Sequence, residues 1–207
     1  MERSTNNSKK LAVFDVCETL YYSNTTHDFI AFVVVQTEYS SFARLMFLLL
    51  FGKLSPFRYA LIGFSIFTGW DFSRSIALRF LRGLSPSEMD NFADKFVTSF
   101  LVNAEITETQ NLLKELRAAG SLVVLCSSSI KPVVDAIGRK LGDIDVIGSK
   151  LEFEGGVFSG RIVDDTTGRK IDHLRRSYPN AEIEWAVSDN VSDKDLLLAA
   201  EHPVAVV

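Results

Sequence analysis

The stretch LAVFDVCETL (residues 11–20) decides the fold of this chain. Its first four residues are apolar and run directly into Asp15, so a buried strand would carry a carboxylate at its own carboxyl end. A continuous apolar run of this kind is typical of a parallel strand that helices cover on both faces. Two similar runs, at residues 122–126 and 183–187, also end in small or polar residues. The pattern predicts a parallel sheet, with a fourth short strand at residues 204–207.

Helical patterns lie between these predicted strands. Residues 105–119 and 132–141 each place apolar side chains on one helical face, and a glycine follows the end of each segment. Residues 151–163 alternate apolar and polar side chains around Gly155 and Gly156, which predicts a β-hairpin. The second half of the chain therefore alternates strands and helices.

The segment between the first strand and this region has a different character. Residues 22–104 are helix-like, poor in strand signals and rich in phenylalanine, of which the chain has 16. Ser85 before Pro86, with a glutamate three positions after the serine, predicts that a helix begins at Pro86. We predict an α/β fold with a Rossmann-like parallel sheet core, formed by residues 11–21 and 105–207, and an inserted all-helical cap that spans the segment between them.

The composition limits the classes of function. A net charge of −4 and a pI near 5.4 provide no basic surface for nucleic acid, so no nucleic-acid partner is predicted. Two cysteines are too few for a disulfide framework, and the polar start MERSTNNSKK lacks the apolar core of a secretion signal. These features predict a cytoplasmic protein.

Two apolar runs in the phenylalanine-rich segment allow two interpretations. Residues 45–51 and 59–67 are each shorter than the roughly 18 apolar residues that indicate a membrane span. Short apolar runs are more often core helices, and we favour that interpretation. The alternative is an apolar surface that accepts a lipid or rests on a membrane, which would make the protein peripheral to the membrane.

Polar side chains collect at the predicted carboxyl ends of the strands, where open α/β sheets bind their ligands. Asp15, Ser127 and Asp189 follow the three apolar runs, and Lys170 follows the hairpin. Two aspartates offer the hard oxygen ligands that Mg²⁺ prefers. Hydroxyl groups donate hydrogen bonds to phosphoryl oxygens, a lysine offsets their charge, and an aspartate can attack phosphorus. These residues therefore predict a site for a phosphate group and a divalent cation.

Four short segments of the chain resemble the four motifs of the haloacid dehalogenase superfamily. They are FDVCETL, LCSSS, GRK and SDNVSD, in the order and spacing of that superfamily. The helical segment after the first motif resembles the cap of its phosphoserine phosphatase-like branch, as does the passage from residue 122 to residue 170. The resemblance implies a Mg²⁺-dependent phosphoric monoester hydrolase that forms an aspartyl-phosphate. Its substrate would be a small phosphorylated metabolite or a lipid phosphate.

The resemblance also implies a role for each matched residue. Asp15 would be the nucleophile and a metal ligand, together with the backbone carbonyl of Cys17. Asp189 would be a further metal ligand, with Asp193 as the second acid of the same motif. Lys170 would steady the nucleophile and bind the transferred group. The phosphoryl oxygens would also be bound by three consecutive residues of the second motif, Ser127, Ser128 and Ser129.

Cys17 departs from the pattern, because phosphatases of this family usually have an aspartate there that protonates the leaving alcohol and then activates water. A thiol has a reference pKa of about 8.5, against roughly 3.9 for aspartate. Losing a general acid–base typically costs on the order of 10² to 10⁴ in rate. Glu18 is not expected to substitute, because adjacent extended residues point apart. The alternative prediction is a catalytically weakened protein that binds phosphoryl groups or a partner.

Overall fold

One six-stranded sheet forms the centre of the structure. The structure is a computed structural model, which describes residues 10–37, 41–51, 55, 57, 59, 63 and 72–206. The strands are β1 (Lys10–Phe14), β2 (Leu122–Ile130), β3 (Asp145–Glu154), β4 (Val157–Asp164), β5 (Glu182–Ser188) and β6 (His202–Ala205). They lie in the order β4-β3-β2-β1-β5-β6, and every neighbouring pair is parallel except the hairpin β3–β4. The predicted α/β fold, parallel sheet and hairpin are confirmed.

Helices connect the strands. Between β1 and β2 the structure describes α1 (Thr25–Gln36), α2 (Ser41–Phe51), α3 (Phe72–Leu78), α4 (Pro86–Ser99) and α5 (Thr107–Ala118). After β2 come α6 (Lys131–Lys140), α7 (Lys170–Ser177) and α8 (Lys194–Leu198). Short 3₁₀ turns lie at Arg79–Leu81, Leu101–Asn103 and Val191–Asp193. The helices predicted at residues 105–119 and 132–141 are confirmed to within two residues at each end.

Strand β1 is buried on both faces, which explains its unbroken apolar sequence. Ala12 and Phe14 pack into the larger hydrophobic cluster, together with residues of α1, α4 and α6. Leu11 and Val13 point to the opposite face and pack against a second cluster that includes residues of α7 and α8. Because successive side chains of a strand alternate between its faces, a strand covered on both sides must be apolar at every position.

Two glycines allow α6 to lie close against β3. A Cβ atom at Gly138 would stand 2.7 Å from the carbonyl oxygen of Ile144, and one at Gly148 would stand 3.1 Å from the Cα atom of Lys131. Helix α6 begins directly after β2 ends. Its close packing against β3 therefore also restricts the position of the last residues of β2, at the carboxyl end of the sheet.

Phenylalanine rings pack the helices that lie between β1 and β2. Phe29 of α1 and Phe96 of α4 are fully buried, and their ring centroids are 5.7 Å apart in an edge-on arrangement. Helix α4 begins with the predicted capping box: the Ser85 amide donates to Glu88 Oε2 at 2.8 Å, and the Glu88 amide donates to Ser85 Oγ at 3.3 Å. The division into a core and a cap at residues 22–104 remains a proposal.

The apolar run at residues 45–51 lies in α2 and is only partly buried. Phe47 packs into the core, whereas the side chains of Leu45, Leu48 and Leu49 are 53%, 62% and 47% exposed. The core interpretation therefore holds for one face of α2 and not for the other. Most of the run at residues 59–67 lies outside the described residues. Within the described part of the chain, no helix is long and apolar enough to cross a membrane.

Candidate active site

A lysine ammonium lies between two carboxylates at the carboxyl end of the sheet. Lys170 Nζ is 2.8 Å from Asp15 Oδ2 and 2.5 Å from Asp193 Oδ2. All three side chains are between 1% and 4% exposed. Asp15 follows β1, Asp193 ends the 3₁₀ turn after β5, and Lys170 begins α7. Three of the residues predicted from separate motifs thus form one buried cluster.

Strand pairing and two hydrogen bonds fix the Asp15 carboxylate. The Asp15 amide donates to the carbonyl oxygen of Val187 at 2.9 Å, which ties the end of β1 to β5. The amide of Val16 donates to Asp15 Oδ1 at 2.7 Å, while the other carboxylate oxygen contacts Lys170. One oxygen therefore rests on the backbone and the other on a cation.

Asp193 is held by a serine of the same motif. Ser188 Oγ donates to Asp193 Oδ2 at 2.6 Å and accepts a hydrogen bond from the amide of Asn190 at 3.2 Å. This hydroxyl gives the supporting carboxylate a second donor besides Lys170.

The charges of the cluster shift its pKa values. Burial raises the pKa of the Asp15 carboxyl, and the neighbouring Lys170 ammonium and the Val16 amide oppose this rise. Burial alone would lower the pKa of Lys170, but the charges of Asp15 and Asp193 outweigh it and raise the pKa to about 12. Lys170 is therefore cationic at neutral pH.

Asp189 is connected to the first motif through Thr19. The Thr19 hydroxyl donates to Asp189 Oδ1 at 2.9 Å and accepts a hydrogen bond from the Asp189 amide at 3.1 Å. Because Thr19 lies in the loop that begins at Asp15, this pair of bonds brings Asp189 to the same loop. Among the described residues, no group of three or more His, Cys, Asp or Glu side chains is placed to hold a metal ion.

Cys17 takes part in a chain of hydroxyl groups. Its sulfur lies 3.0 Å from Thr25 Oγ1, and Thr25 donates its single proton to Ser129 Oγ at 2.8 Å. The thiol is therefore the donor to Thr25, since a hydroxyl group has one hydrogen. Thr26 Oγ1 also lies 3.0 Å from Ser129 Oγ. Burial raises the pKa of the Cys17 thiol to about 11, and the charge of Asp15 adds to this shift.

The three serines of the second motif lie beside this loop. Phe14 of β1 pairs with Leu125 of β2, so Asp15, directly after β1, and Ser127, within β2, both lie within two residues of that pair. Ser127 is fully buried, and its Oγ accepts a hydrogen bond from the amide of Ser129 at 3.2 Å. The structure thus brings the second motif next to the first.

The serine hydroxyls differ in their surroundings. Ser129 is buried and is hydrogen-bonded to the start of α1, whereas Ser128 is partly exposed and its carbonyl oxygen accepts a hydrogen bond from Ser149 Oγ at 3.0 Å. The phosphate-binding role of all three serines remains a prediction.

Sequence reasoning did not single out three residues that shape this site. Thr19 lies within the first motif, FDVCETL. Its position four residues after Asp15 could have indicated that it belongs to the site. Thr25 and Arg74 offered no such signal, because each lies in the helical segment and reaches its partner, Ser129 or Asp165, across about 90 or more positions.

Comparisons with known proteins identify the family and the fold of this chain. The family of haloacid dehalogenase-like hydrolases matches residues 12–198. A solved protein of unknown function from Bordetella pertussis Tohama I superposes with a TM-score of 0.74 at 19% identity, and the match covers 96% of this chain and 90% of that one. At these low identities a superposition shows a shared fold. No curated protein sequence matches this chain.

Two further solved structures share the fold. A HAD family hydrolase from Salmonella enterica serovar Typhi gives a TM-score of 0.63 at 14% identity, and the match covers 96% of this chain and 62% of that one. A phosphoserine phosphatase in its apo form gives 0.55 at 17% identity, with 93% and 83% covered. The fold is therefore one that phosphoserine phosphatases also have.

Replacing Lys170 by methionine tests the buried cluster. Lys170→Met should lower the free energy of unfolding at pH 7 by about 3–5 kcal/mol, because it leaves two buried carboxylates without their cation. The pKa of Lys170 is raised to about 12 in the folded protein. Its stabilisation is therefore fully present below pH ~10.4, the reference pKa of lysine, and is lost as the pH rises through the folded value.

Urea unfolding of both proteins at a series of pH values measures this difference. It should be constant between about pH 7 and pH ~10 and shrink above that. The exposed Lys194 provides the control, and Lys194→Met should change the free energy by less than about 0.5 kcal/mol. Equal losses for the two variants at pH 7 would contradict the account.

Proposed function

This chain belongs to the haloacid dehalogenase-like hydrolases, and on that premise we propose that it hydrolyses phosphoric monoesters through an aspartyl-phosphate on Asp15. The observation that carries the proposal is the buried Lys170 ammonium between the carboxylates of Asp15 and Asp193. It supports a nucleophile that is held in one orientation beside a permanent positive charge. Such preorganised charge is the main means by which enzymes stabilise a transferring phosphoryl group.

Asp15 would act in two steps. A carboxylate oxygen attacks phosphorus, the bond from phosphorus to the ester oxygen breaks, and the leaving alkoxide takes a proton. Water then attacks phosphorus, the bond to Asp15 breaks, and inorganic phosphate leaves. Lys170 would offset the negative charge on the phosphoryl oxygens in both steps. Asp193 would keep Lys170 in place, supported by the 2.6 Å hydrogen bond from Ser188.

The donor atoms around Asp15 fit Mg²⁺. The carboxylates of Asp15 and Asp189 and the backbone carbonyl of Cys17 are all hard oxygen ligands of the kind that Mg²⁺ prefers. Mg²⁺ typically binds through one or two carboxylates and keeps several waters, so it needs no third acidic side chain. When bound, the ion would neutralise charge on the phosphoryl oxygens. This support comes from donor chemistry, and Mg²⁺ dependence is part of the proposal.

The phosphoryl oxygens would be bound by Lys170 together with the second motif, Ser127, Ser128 and Ser129. The position of Ser127 next to Asp15 on neighbouring strands supports this assignment. Ser129 would act differently from the other two, because its hydroxyl is already bonded to Thr25. Besides binding a phosphoryl oxygen, it would hold the end of β2 against the start of α1.

Cys17 supports an alternative in which turnover is weak. The residue is a neutral donor to Thr25, and its pKa, raised to about 11, leaves it protonated in both steps. A thiol in that state cannot activate water, and it is a poor acid toward a leaving alkoxide. In this alternative the protein binds phosphoryl groups and releases them slowly.

We propose a small phosphorylated metabolite or a lipid phosphate as substrate, selected by the helical cap at residues 22–104. The buried phenylalanines of α1 and α4 support a packed cap and hence a metabolite. The exposed leucines of α2 support the lipid alternative, in which the protein would rest at a membrane surface. A cytoplasmic location belongs to the proposal in both cases.

Turnover by wild type and Asp15→Asn tests the proposed function. We expect wild type with Mg²⁺ to hydrolyse p-nitrophenyl phosphate and members of a panel that includes phosphorylated metabolites and vesicles containing phosphatidic acid. Asp15→Asn should lose activity by a factor of at least about 10³, since an amide cannot form the covalent intermediate. Thr98→Ala, an exposed change on α4, serves as the matched control.

Equal turnover by wild type and Asp15→Asn would exclude the mechanism. A lack of vesicle binding in flotation would remove the lipid alternative.

Replacing Cys17 by aspartate tests the alternative. Cys17→Asp should raise the hydrolysis rate on the order of 10² to 10⁴ if the missing acid–base group limits turnover. Cys17→Ser should leave the rate low, because a hydroxyl can still donate to Thr25 but cannot serve as an acid. The measurement is kcat for the three proteins with the same substrate. A wild-type rate equal to that of Cys17→Asp would show that the thiol does not weaken the enzyme.

A further inference from the structure

Arg74 of α3 is a buried arginine that joins the helical segment to the sheet. Its side chain is 9% exposed. Nη1 lies 3.1 Å and 3.3 Å from the two carboxylate oxygens of Asp165, and it donates to Thr167 Oγ1 at 2.9 Å. Nη2 donates to the carbonyl oxygen of Ser128. One guanidinium group therefore contacts two segments that are distant in sequence, the end of β2 and the loop after β4.

Both segments lead into the candidate active site. Ser128 is the middle one of the three serines in the second motif and directly follows the buried Ser127. Asp165 and Thr167 lie between β4 and α7, and α7 begins with Lys170. The position of the lysine that contacts Asp15 thus depends on a loop that Arg74 holds.

A network of hydroxyl groups also connects the end of β2 with the loop after β4. Ser149 Oγ contacts the Ser128 carbonyl oxygen and Asp165 Oδ1, each at 3.0 Å. Thr166 Oγ1 donates to the carbonyl oxygen of Ser127 at 2.8 Å. Arg74 therefore supplies the positive charge of a network whose other members are neutral hydroxyls, backbone groups and the Asp165 carboxylate.

The charge of Asp165 is maintained by these contacts. Burial would raise the pKa of its carboxyl, but Arg74 and the hydrogen bonds from Thr167 and Ser149 outweigh this and lower the pKa. The Asp165 side chain is 45% exposed, whereas that of Arg74 is nearly enclosed. Arg74 and Asp165 therefore form an ion pair whose arginine is buried and whose aspartate is partly exposed to solvent.

We propose that Arg74 is a positioning residue, which docks α3 onto the sheet and sets the mutual position of the second-motif serines at the end of β2 and the loop that leads to Lys170. This inference rests on the proposed function for its kinetic consequence and on the contacts of Arg74 for its structural one. The planar guanidinium spans an acid, a hydroxyl and a carbonyl at fixed angles, which a lysine ammonium cannot do. The charge alone would therefore be insufficient.

Variants at Arg74 and one control at Arg139 test the proposal. Arg139 Nη2 lies 2.7 Å from Asp94 Oδ1, so this pair also joins the helical segment to a helix of the sheet, but both its side chains are about half exposed. Arg74→Met and Arg74→Lys are compared with Arg139→Met. The readouts are hydrogen exchange of peptides that cover residues 124–130 and 164–170, the melting temperature, and kcat and KM for p-nitrophenyl phosphate with Mg²⁺.

We expect both Arg74 variants to exchange faster in the two peptides, with β1 and β5 unchanged, and Arg139→Met to match wild type. The kcat of Arg74→Lys should fall on the order of 10- to 100-fold with little change in KM, because the phosphate loop and Lys170 lose their alignment. Wild-type kcat in Arg74→Lys with only a lower melting temperature would overturn the proposal, as would exchange equal to that of Arg139→Met. If wild type has no turnover, the proposed function fails while hydrogen exchange still decides the role of Arg74.

Discussion

The structure depends on one buried ammonium group placed between two carboxylates. An isolated charge in a protein interior is strongly unfavourable, so Lys170 can be buried only where Asp15 and Asp193 both reach it. This requirement fixes three chain segments at once: the end of β1, the turn after β5 and the start of α7. The parallel sheet satisfies it, because the carboxyl ends of β1 and β5 lie side by side.

Around this cluster the site is connected mainly through hydroxyl groups. Thr19 connects Asp189 to the first loop, Ser188 supports Asp193, and Thr25 connects Cys17 to the second motif. Hydroxyl groups can accept and donate within a small volume, so they satisfy buried polar atoms without adding charge. Cys17 belongs to this neutral shell. An acidic group at its position would alter the direction of the Thr25 hydrogen bond and the net charge of the site.

The sequence predicted the sheet and the cluster because both follow from short-range patterns. Unbroken apolar runs identify buried parallel strands, and parallel strands must end at a common edge, so Asp15 and Asp189 could be expected there. The contacts of Arg74 and Thr25 could not be predicted in this way. Helical periodicity shows which face of a helix is buried but not which loop it contacts, and Arg74 meets the Ser128 carbonyl 54 residues away. The prediction of a core helix at residues 45–51 was wrong for the exposed leucines of α2 for a related reason. Hydrophobicity alone does not show which side of a helix has a neighbour.

Transfer of the phosphoryl group to Asp15 can be detected by acid-quenched peptide mass spectrometry. The protein is mixed with Mg²⁺ and p-nitrophenyl phosphate or acetyl phosphate, quenched in acid within a turnover and digested. The account predicts one PO₃ unit on the peptide that contains Asp15, labile to hydroxylamine as an acyl phosphate should be, and longer-lived in wild type than in Cys17→Asp. Hydrolysis of the substrate with no phosphorylated Asp15 in either protein, or with the PO₃ unit on another residue, would contradict it.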